Sequence, residues 1–184
     1  TAGLAMIDVG TMRPVSVDAL RGREIAALAR DAGGRLWAGT VGDGIWRRSS
    51  DGNWGQMVTV GLVETPGRET VAAQGLAPDL DNPDGMWVAL EGVGLATWNG
   101  SRWRMVGATE LAPSNLIWTL YMDPVDGTLW IGSETGVTRY DGLSSITLGV
   151  MDGLQSANIY AIVRMRDGSY WFGGRTGLSR FQPE

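Results

Sequence analysis

Glu91 and Glu134 occupy matching places in two copies of one short stretch of sequence, and two carboxylates are what glycoside cleavage requires. One would protonate the leaving oxygen while the other acts as nucleophile or base. A third carboxylate, Asp43, and a cation, Arg175, fall in the corresponding stretches of two further copies. Trp118 and Tyr160 each follow an asparagine, Asn115 and Asn158, by a few residues, and their flat rings are of the type that stacks on sugars. Other chemistries are closed to this chain. It contains no histidine and no cysteine, which excludes a Ser-His-Asp or Cys-His nucleophile, thiolate metal sites and disulfides. Asp79-Leu80-Asp81-Asn82-Pro83-Asp84-Gly85 is dense in oxygen ligands. Its spacing is wrong for a helix-loop-helix calcium site and Pro83 interrupts it, so it reads as a solvated hairpin and no metal is expected.

These residues are placed by a repeat. Leu36-Trp37-Ala38-Gly39-Thr40, Met86-Trp87-Val88-Ala89-Leu90, Leu129-Trp130-Ile131-Gly132-Ser133 and Tyr170-Trp171-Phe172-Gly173-Gly174 recur at spacings of 50, 43 and 41 residues. A period of about 40 to 50 residues with strand-like cores and glycine punctuation predicts propeller blades. The 28 glycines and 9 tryptophans against 2 phenylalanines, in 184 residues, fit short strands, many turns and flat rings stacked between sheets. A net charge of −5 supplies no basic stripe for a phosphate backbone, so nucleic acid is not an expected partner. No run reaches the length of a membrane span, and Thr1-Ala2-Gly3-Leu4 lacks the features of a secretion signal; any such signal would lie outside this chain.

The third copy reads as four strands: Ile117 to Met122, Thr128 to Ser133, Gly136 to Tyr140 and Ser145 to Gly149. Inner strands are expected at Ile25 to Arg30, Val71 to Leu76 and Ile159 to Met165, and third strands at Gly44 to Arg47, Gly94 to Thr97 and Gly177 to Arg180. Asp51-Gly52, Asn99-Gly100 and Asp141-Gly142 mark the last hairpins. The run Glu24 to Arg30 would read as an amphipathic helix by itself, but fourfold repetition makes it a strand. The expected units are 1–17, the last two strands of a blade; blades at 18–58, 59–107 and 108–149; and 150–184, a blade without its fourth strand. The unmatched ends fit a stretch of a longer propeller better than a closed four-bladed ring, which would leave the opening strand surplus.

The third copy, from Ile117 through Asp126-Gly127-Thr128-Leu129-Trp130-Ile131-Gly132-Ser133 to Arg139-Tyr140-Asp141-Gly142, resembles the two-component regulator propeller repeat. The fourth and first copies match nearly as well; the second is weakest, with Thr97-Trp98 in place of Arg-Tyr. The resemblance implies seven-bladed, often tandem propellers that form the extracytoplasmic sensing part of membrane-bound bacterial regulators, with ligands that include polysaccharide breakdown products. It therefore implies a non-catalytic, periplasmic or extracellular sensor module, without cofactor, from a membrane-anchored parent. Only four copies stand here, and the repeat residues themselves are structural.

Trp37, Trp87, Trp130 and Trp171, one per copy at one register, are read as packing between blades. Trp118, Tyr160, Asn115, Asn158, Glu91, Glu134, Arg175 and Asp43 are the candidates for touching a ligand, with solvated turns as the plain alternative. Two rival functions stay open: a propeller glycosidase working through Glu91 and Glu134, and a protein-interaction scaffold. Open blade edges favour self-association.

Overall fold

The structure, a computed structural model, describes residues 3–59, 62, 71–106, 111 and 113–183. A hairpin of β1 (Ala5–Asp8) and β2 (Arg13–Ser16) comes first. Blade 1 follows with β3 (Ile25–Arg30), β4 (Leu36–Thr40), β5 (Ile45–Arg48) and β6 (Trp54–Gln56). Blade 2 contains β7 (Ala73–Pro78), β8 (Met86–Leu90), β9 (Gly94–Trp98) and β10 (Trp103–Val106). Blade 3 contains β11 (Ile117–Met122), β12 (Leu129–Ser133), β13 (Val137–Tyr140) and β14 (Ser145–Leu148). Blade 4 has β15 (Ile159–Arg164), β16 (Tyr170–Gly174) and β17 (Gly177–Phe181) among the described residues. Every sheet is antiparallel in chain order, and the inner strands pack in succession, β3 on β7, β7 on β11 and β11 on β15. The chain is thus an all-β propeller of four blades.

The helix-like run Glu24 to Arg30 is a strand because its neighbours demand one. In β3 half-buried and exposed residues alternate with period 2, and Ala29 pairs with Trp37 of β4. Ala27 and Ala29 then pack against blade 2, where larger side chains would hold the sheets apart. The second inner strand begins two residues later than the sequence pattern indicates and ends on Pro78. Proline is tolerated there because an inner strand is a sheet edge, bonded only to β8. Gly52, Gly100 and Gly142, at the last hairpins, take φ of +91°, +98° and +91°, which side-chain-bearing residues adopt at a cost.

The core lies between blades. Trp37 and Ile45 of blade 1 meet Ala73, Leu76, Met86 and Val88 of blade 2. Ala89 and Leu95 meet Ile117, Leu129 and Ile131 of blade 3, and Trp130 and Val137 meet Ile159, Tyr170 and Phe172 of blade 4. Leu4, Val17 and Leu20 lie against Ala38, Ile25 and Trp46 of blade 1.

The glycine of the Trp-Ile-Gly segment is a strand residue, not a turn residue. It lies inside the second strand, where the next blade approaches. A Cβ on Gly132 would stand 2.7 Å from the Ile159 carbonyl oxygen and 2.6 Å from Thr119 Cγ2, and one on Gly39 would overlap the Ala73 carbonyl. Gly173, at the same register of blade 4, would meet nothing nearer than Ala161 Cβ at 3.4 Å. Gly132→Ala is therefore expected to destabilise the protein by about 1–3 kcal/mol through overpacking. Gly173→Ala should cost well under about 1 kcal/mol, since its contact is ordinary. Urea denaturation of the two variants checks this, and equal losses would remove the inter-blade role of Gly132.

Candidate functional site

Each inner strand is irregular at its second residue. Pairing runs from Ile25 with Thr40 to Ala27 with Gly39, and from Ala73 with Leu90 to Gly75 with Ala89. It repeats from Ile117 with Ser133 to Thr119 with Gly132, and from Ile159 with Gly174 to Ala161 with Gly173. The extra residues, Ala26, Gln74, Trp118 and Tyr160, are β-bulges, a device that re-aims a side chain out of the regular pleat. The connection between second and third strands is tied down at the same end. There the N–H groups of Val41, Glu91, Glu134 and Arg175 donate to the carbonyls of Glu24, Ala72, Leu116 and Asn158, at 2.9, 2.9, 3.2 and 3.3 Å. One bulge residue and one connection residue thus meet at this end of every blade, on a constant backbone with variable side chains.

Blades 3 and 4 supply an aromatic pair. The rings of Trp118 and Tyr160 lie 5.8 Å apart between centroids and are tilted by 50°. Tyr160 is 47% exposed and Trp118 half-buried. The Trp118 Nε1–H is shielded from solvent and has no acceptor among the described residues. A buried donor without a partner carries a desolvation cost of about 1–3 kcal/mol.

The carboxylates are held by neutral donors. Gln74 Nε2 donates to Glu91 Oε2 at 3.2 Å, and the Ser114 hydroxyl donates to Glu134 Oε1 at 2.9 Å. Ser114 Oγ also accepts from the Leu116 N–H at 2.9 Å, so the residue is locked at the entrance to β11. Arg175 is exposed, and its guanidinium makes no ion pair among the described residues. The arrangement offers stacking surface, acceptors and one cation, which are the elements of polyol recognition.

Three of the candidate residues are placed differently from the aromatic pair. Asp43 is not at the register of Glu91 and Glu134, which Val41 occupies; it ion-pairs with Arg23 Nη1 at 2.9 Å. Asp43 lies two residues beyond Val41, which stands four residues after Trp37 as Glu91, Glu134 and Arg175 stand four after Trp87, Trp130 and Trp171. The Asn115 side chain lies beside Gly94, its Oδ1 3.2 Å from where a Cβ there would sit. Asn158 acts through its main chain, its carbonyl accepting from Ser156 Oγ at 3.0 Å as well as from Arg175. Gln74 is the residue that sequence reasoning passed over. Aligning Ala73-Gln74-Gly75-Leu76 with Ile117-Trp118-Thr119-Leu120 would have found it.

The acidic hairpin at Asp79 to Gly85 spends its oxygens on itself and on blade 1. Asp79 Oδ1 accepts from the Asp81 N–H at 3.1 Å, Asn82 Oδ1 from the Asp84 N–H at 3.1 Å, and Asp84 ion-pairs with Arg35. Among the described residues no cluster of three metal-ligating side chains is present.

No protein-family model matches the chain, and no curated protein matches it by sequence. Solved structures do. The extracellular domain of the putative hybrid two-component system BT4673 from B. thetaiotaomicron superposes with a TM-score of 0.78 at 20% identity over 97% of this chain. That of BT3049 from the same organism gives 0.74 at 20% identity over 100% of it. An ancestral GH74 enzyme gives 0.56 at 16% identity over 82%. The chain spans about a quarter of the two sensor-system domains, 24% and 25% of their lengths. This chain therefore has the β-propeller fold found in the extracellular domains of hybrid two-component systems.

Proposed function

We propose that the chain is a non-catalytic ligand-sensing module of a bacterial two-component type regulator, working outside the cytoplasm and recognising a carbohydrate. The observation that carries this reading is the Trp118–Tyr160 pair, turned out of two adjacent inner strands by bulges, with Glu91, Glu134 and Arg175 on the strand connections at the same end of their blades. Two tilted rings, with Tyr160 exposed, offer a sugar an apolar stacking face. Glu91 and Glu134 serve as acceptors for hydroxyl groups. Fold likeness to extracellular domains of hybrid two-component systems supports the sensing role and the location.

Calorimetric titration with a panel of neutral and acidic oligosaccharides tests the reading. One member of the panel is expected to bind, and Trp118→Ala and Tyr160→Ala should each weaken it by roughly five- to tenfold, about 1–1.4 kcal/mol, the value of a lost aromatic contact. The likeness to a GH74 enzyme, with two carboxylates on neighbouring blades, keeps a glycosidase as the second reading. Released reducing sugar that disappears in Glu134→Gln would establish it and end the sensor reading.

A further inference from the structure

Blade 1 carries a second feature at the opposite end of its sheet. Hairpin turns of an antiparallel sheet alternate between its two ends, so the β3–β4 and β5–β6 turns share the end away from the bulges. Between those turns lies an open cleft of about 490 Å³, lined among others by Arg30, Arg35, Leu36, Arg48, Ser49 and Ser50. Among the described residues no carboxylate lines it, in a chain whose net charge is −5.

Two of the three arginines are pre-set. Arg30 Nε donates to the Gly34 carbonyl at 3.0 Å, and Arg48 Nε donates to the Gly52 carbonyl at 3.1 Å. Each guanidinium is thereby clamped by its own turn through Nε, and neither makes an ion pair among the described residues. The turns are cut to admit them: a Cβ on Gly34 or Gly52 would come within 3.3 Å of the respective Nη2. Arg35 is committed elsewhere. It binds Asp31 at 2.9 Å and Asp84, while Asp31 also accepts from Trp37 Nε1 at 2.8 Å. Asp31 is thus already consumed, and Asp51, in the turn that holds Arg48, accepts from Ser49 Oγ and from Asn53 Nδ2 at 2.9 Å; Arg30 and Arg48 form no ion pair with either.

Comparison between blades shows that this is a departure from the repeat. At the register of Arg48 the other blades carry Trp98, Tyr140 and Phe181. At the register of Arg30 they carry Pro78, Met122 and Arg164. Arg164 Nε holds the carboxylate of Asp123 at 3.0 Å, so this backbone position delivers a guanidinium to an oxyanion one repeat away. Planar guanidinium forks match carboxylate, sulfate and phosphate groups.

We propose that this cleft binds an oxyanion, a carboxylate, sulfate or phosphate group, through the Nη groups of Arg30 and Arg48, with the Ser50 hydroxyl at its edge. The site is separate from the Trp118–Tyr160 face and stands whether or not that face binds sugar.

Calorimetry and NMR shift titration of the 184-residue chain with sodium sulfate, sodium phosphate and sodium glucuronate, at constant ionic strength set with chloride, test it. Saturable binding of at least one of the three in the millimolar range is expected. Sulfate or phosphate binding would identify the free ion as sufficient; glucuronate binding alone would identify a sugar acid. The Arg30→Gln, Arg48→Gln double variant should bind at least tenfold more weakly, Arg48→Lys should be intermediate, and Arg104→Gln, at an exposed position of β10, should be unchanged. Circular dichroism checks that the variants are folded, and the single variants decide if the double one is not. Shifts that do not saturate, or affinity that survives in the double variant, would overturn the site.

Discussion

Trp130→Ala is expected to cost about 3–5 kcal/mol, the usual price of emptying a large aromatic site in a core. The side chain is 1% exposed, and its ring centroid lies 4.5 Å from Tyr170, 5.4 Å from Phe172 and 5.6 Å from Phe181. These three rings all belong to blade 4, so the substitution empties the junction between blades 3 and 4. Domains of this size have about 5–15 kcal/mol in total, so much of the folded population is at stake. Equilibrium urea unfolding followed by tryptophan fluorescence and circular dichroism measures it. Trp171, at the same register of blade 4, is only half-buried, and Trp171→Ala is expected to lose about half as much or less, since less apolar surface leaves contact. Equal losses at the two positions would contradict the assignment of the core to the spaces between blades.

The second large effect is expected at Asp123, whose side chain is wholly buried. Its carboxylate accepts from Arg164 Nε at 3.0 Å, from the Val125 N–H at 2.8 Å and from the Tyr170 hydroxyl. Arg164 and Tyr170 both lie on blade 4, so one carboxylate bonds two strands of the neighbouring blade. Asp123→Ala leaves these donors without their acceptor and is expected to cost about 3 kcal/mol, at the lower end for a broken buried pair because Arg164 is partly exposed.

The same contact makes stability depend on alkaline pH. Burial, and after it the bond to the Asp123 carboxylate, push the Tyr170 hydroxyl up to about 12. An unfolded tyrosine titrates near 10. Below about pH 10 both states keep the proton and the contribution is complete. Above it the unfolded chain releases its proton first, so stability falls through the window from about 10 to 12, by about 3 kcal/mol in all. Tyr170→Phe should lose the larger part of this decline and keep the part due to Tyr121, whose hydroxyl is also pushed up by burial and by the nearby Asp123. Denaturant unfolding at neutral and alkaline pH compares the two, and an unchanged alkaline loss in Tyr170→Phe would assign the effect to other groups.

The blades were legible in the sequence because their signal is covalent and periodic. Trp130 within the apolar run Leu129-Trp130-Ile131, Asp141-Gly142 at a hairpin and the 41- to 50-residue period all report local requirements of short antiparallel strands. The repeat even corrected local propensity at Ile25 to Arg30, where alanine content alone points to a helix. Where the period stretches, as before β7, the inner strand was misplaced by two residues, and Gln74 was missed with it. Asp43 shares a loop but not a register with Glu91, Glu134 and Arg175: the position four residues after the repeat tryptophan is Val41 in blade 1, and its hydrogen bond to Glu24 marks the equivalence.

By itself the sequence determined that this is a propeller of antiparallel blades, which rings and glycines recur in it, and that histidine and cysteine chemistry play no part. Only the tertiary structure decided that bulges turn Trp118 and Tyr160 toward each other, that Gly132 is a point of blade contact and that Arg30 and Arg48 share a cleft. Periodic patterning records how each strand pairs and which face it buries, and those are short-range facts. Which side chains meet across two sheets depends on strand register and on the distance between blades, and no single stretch of sequence carries either.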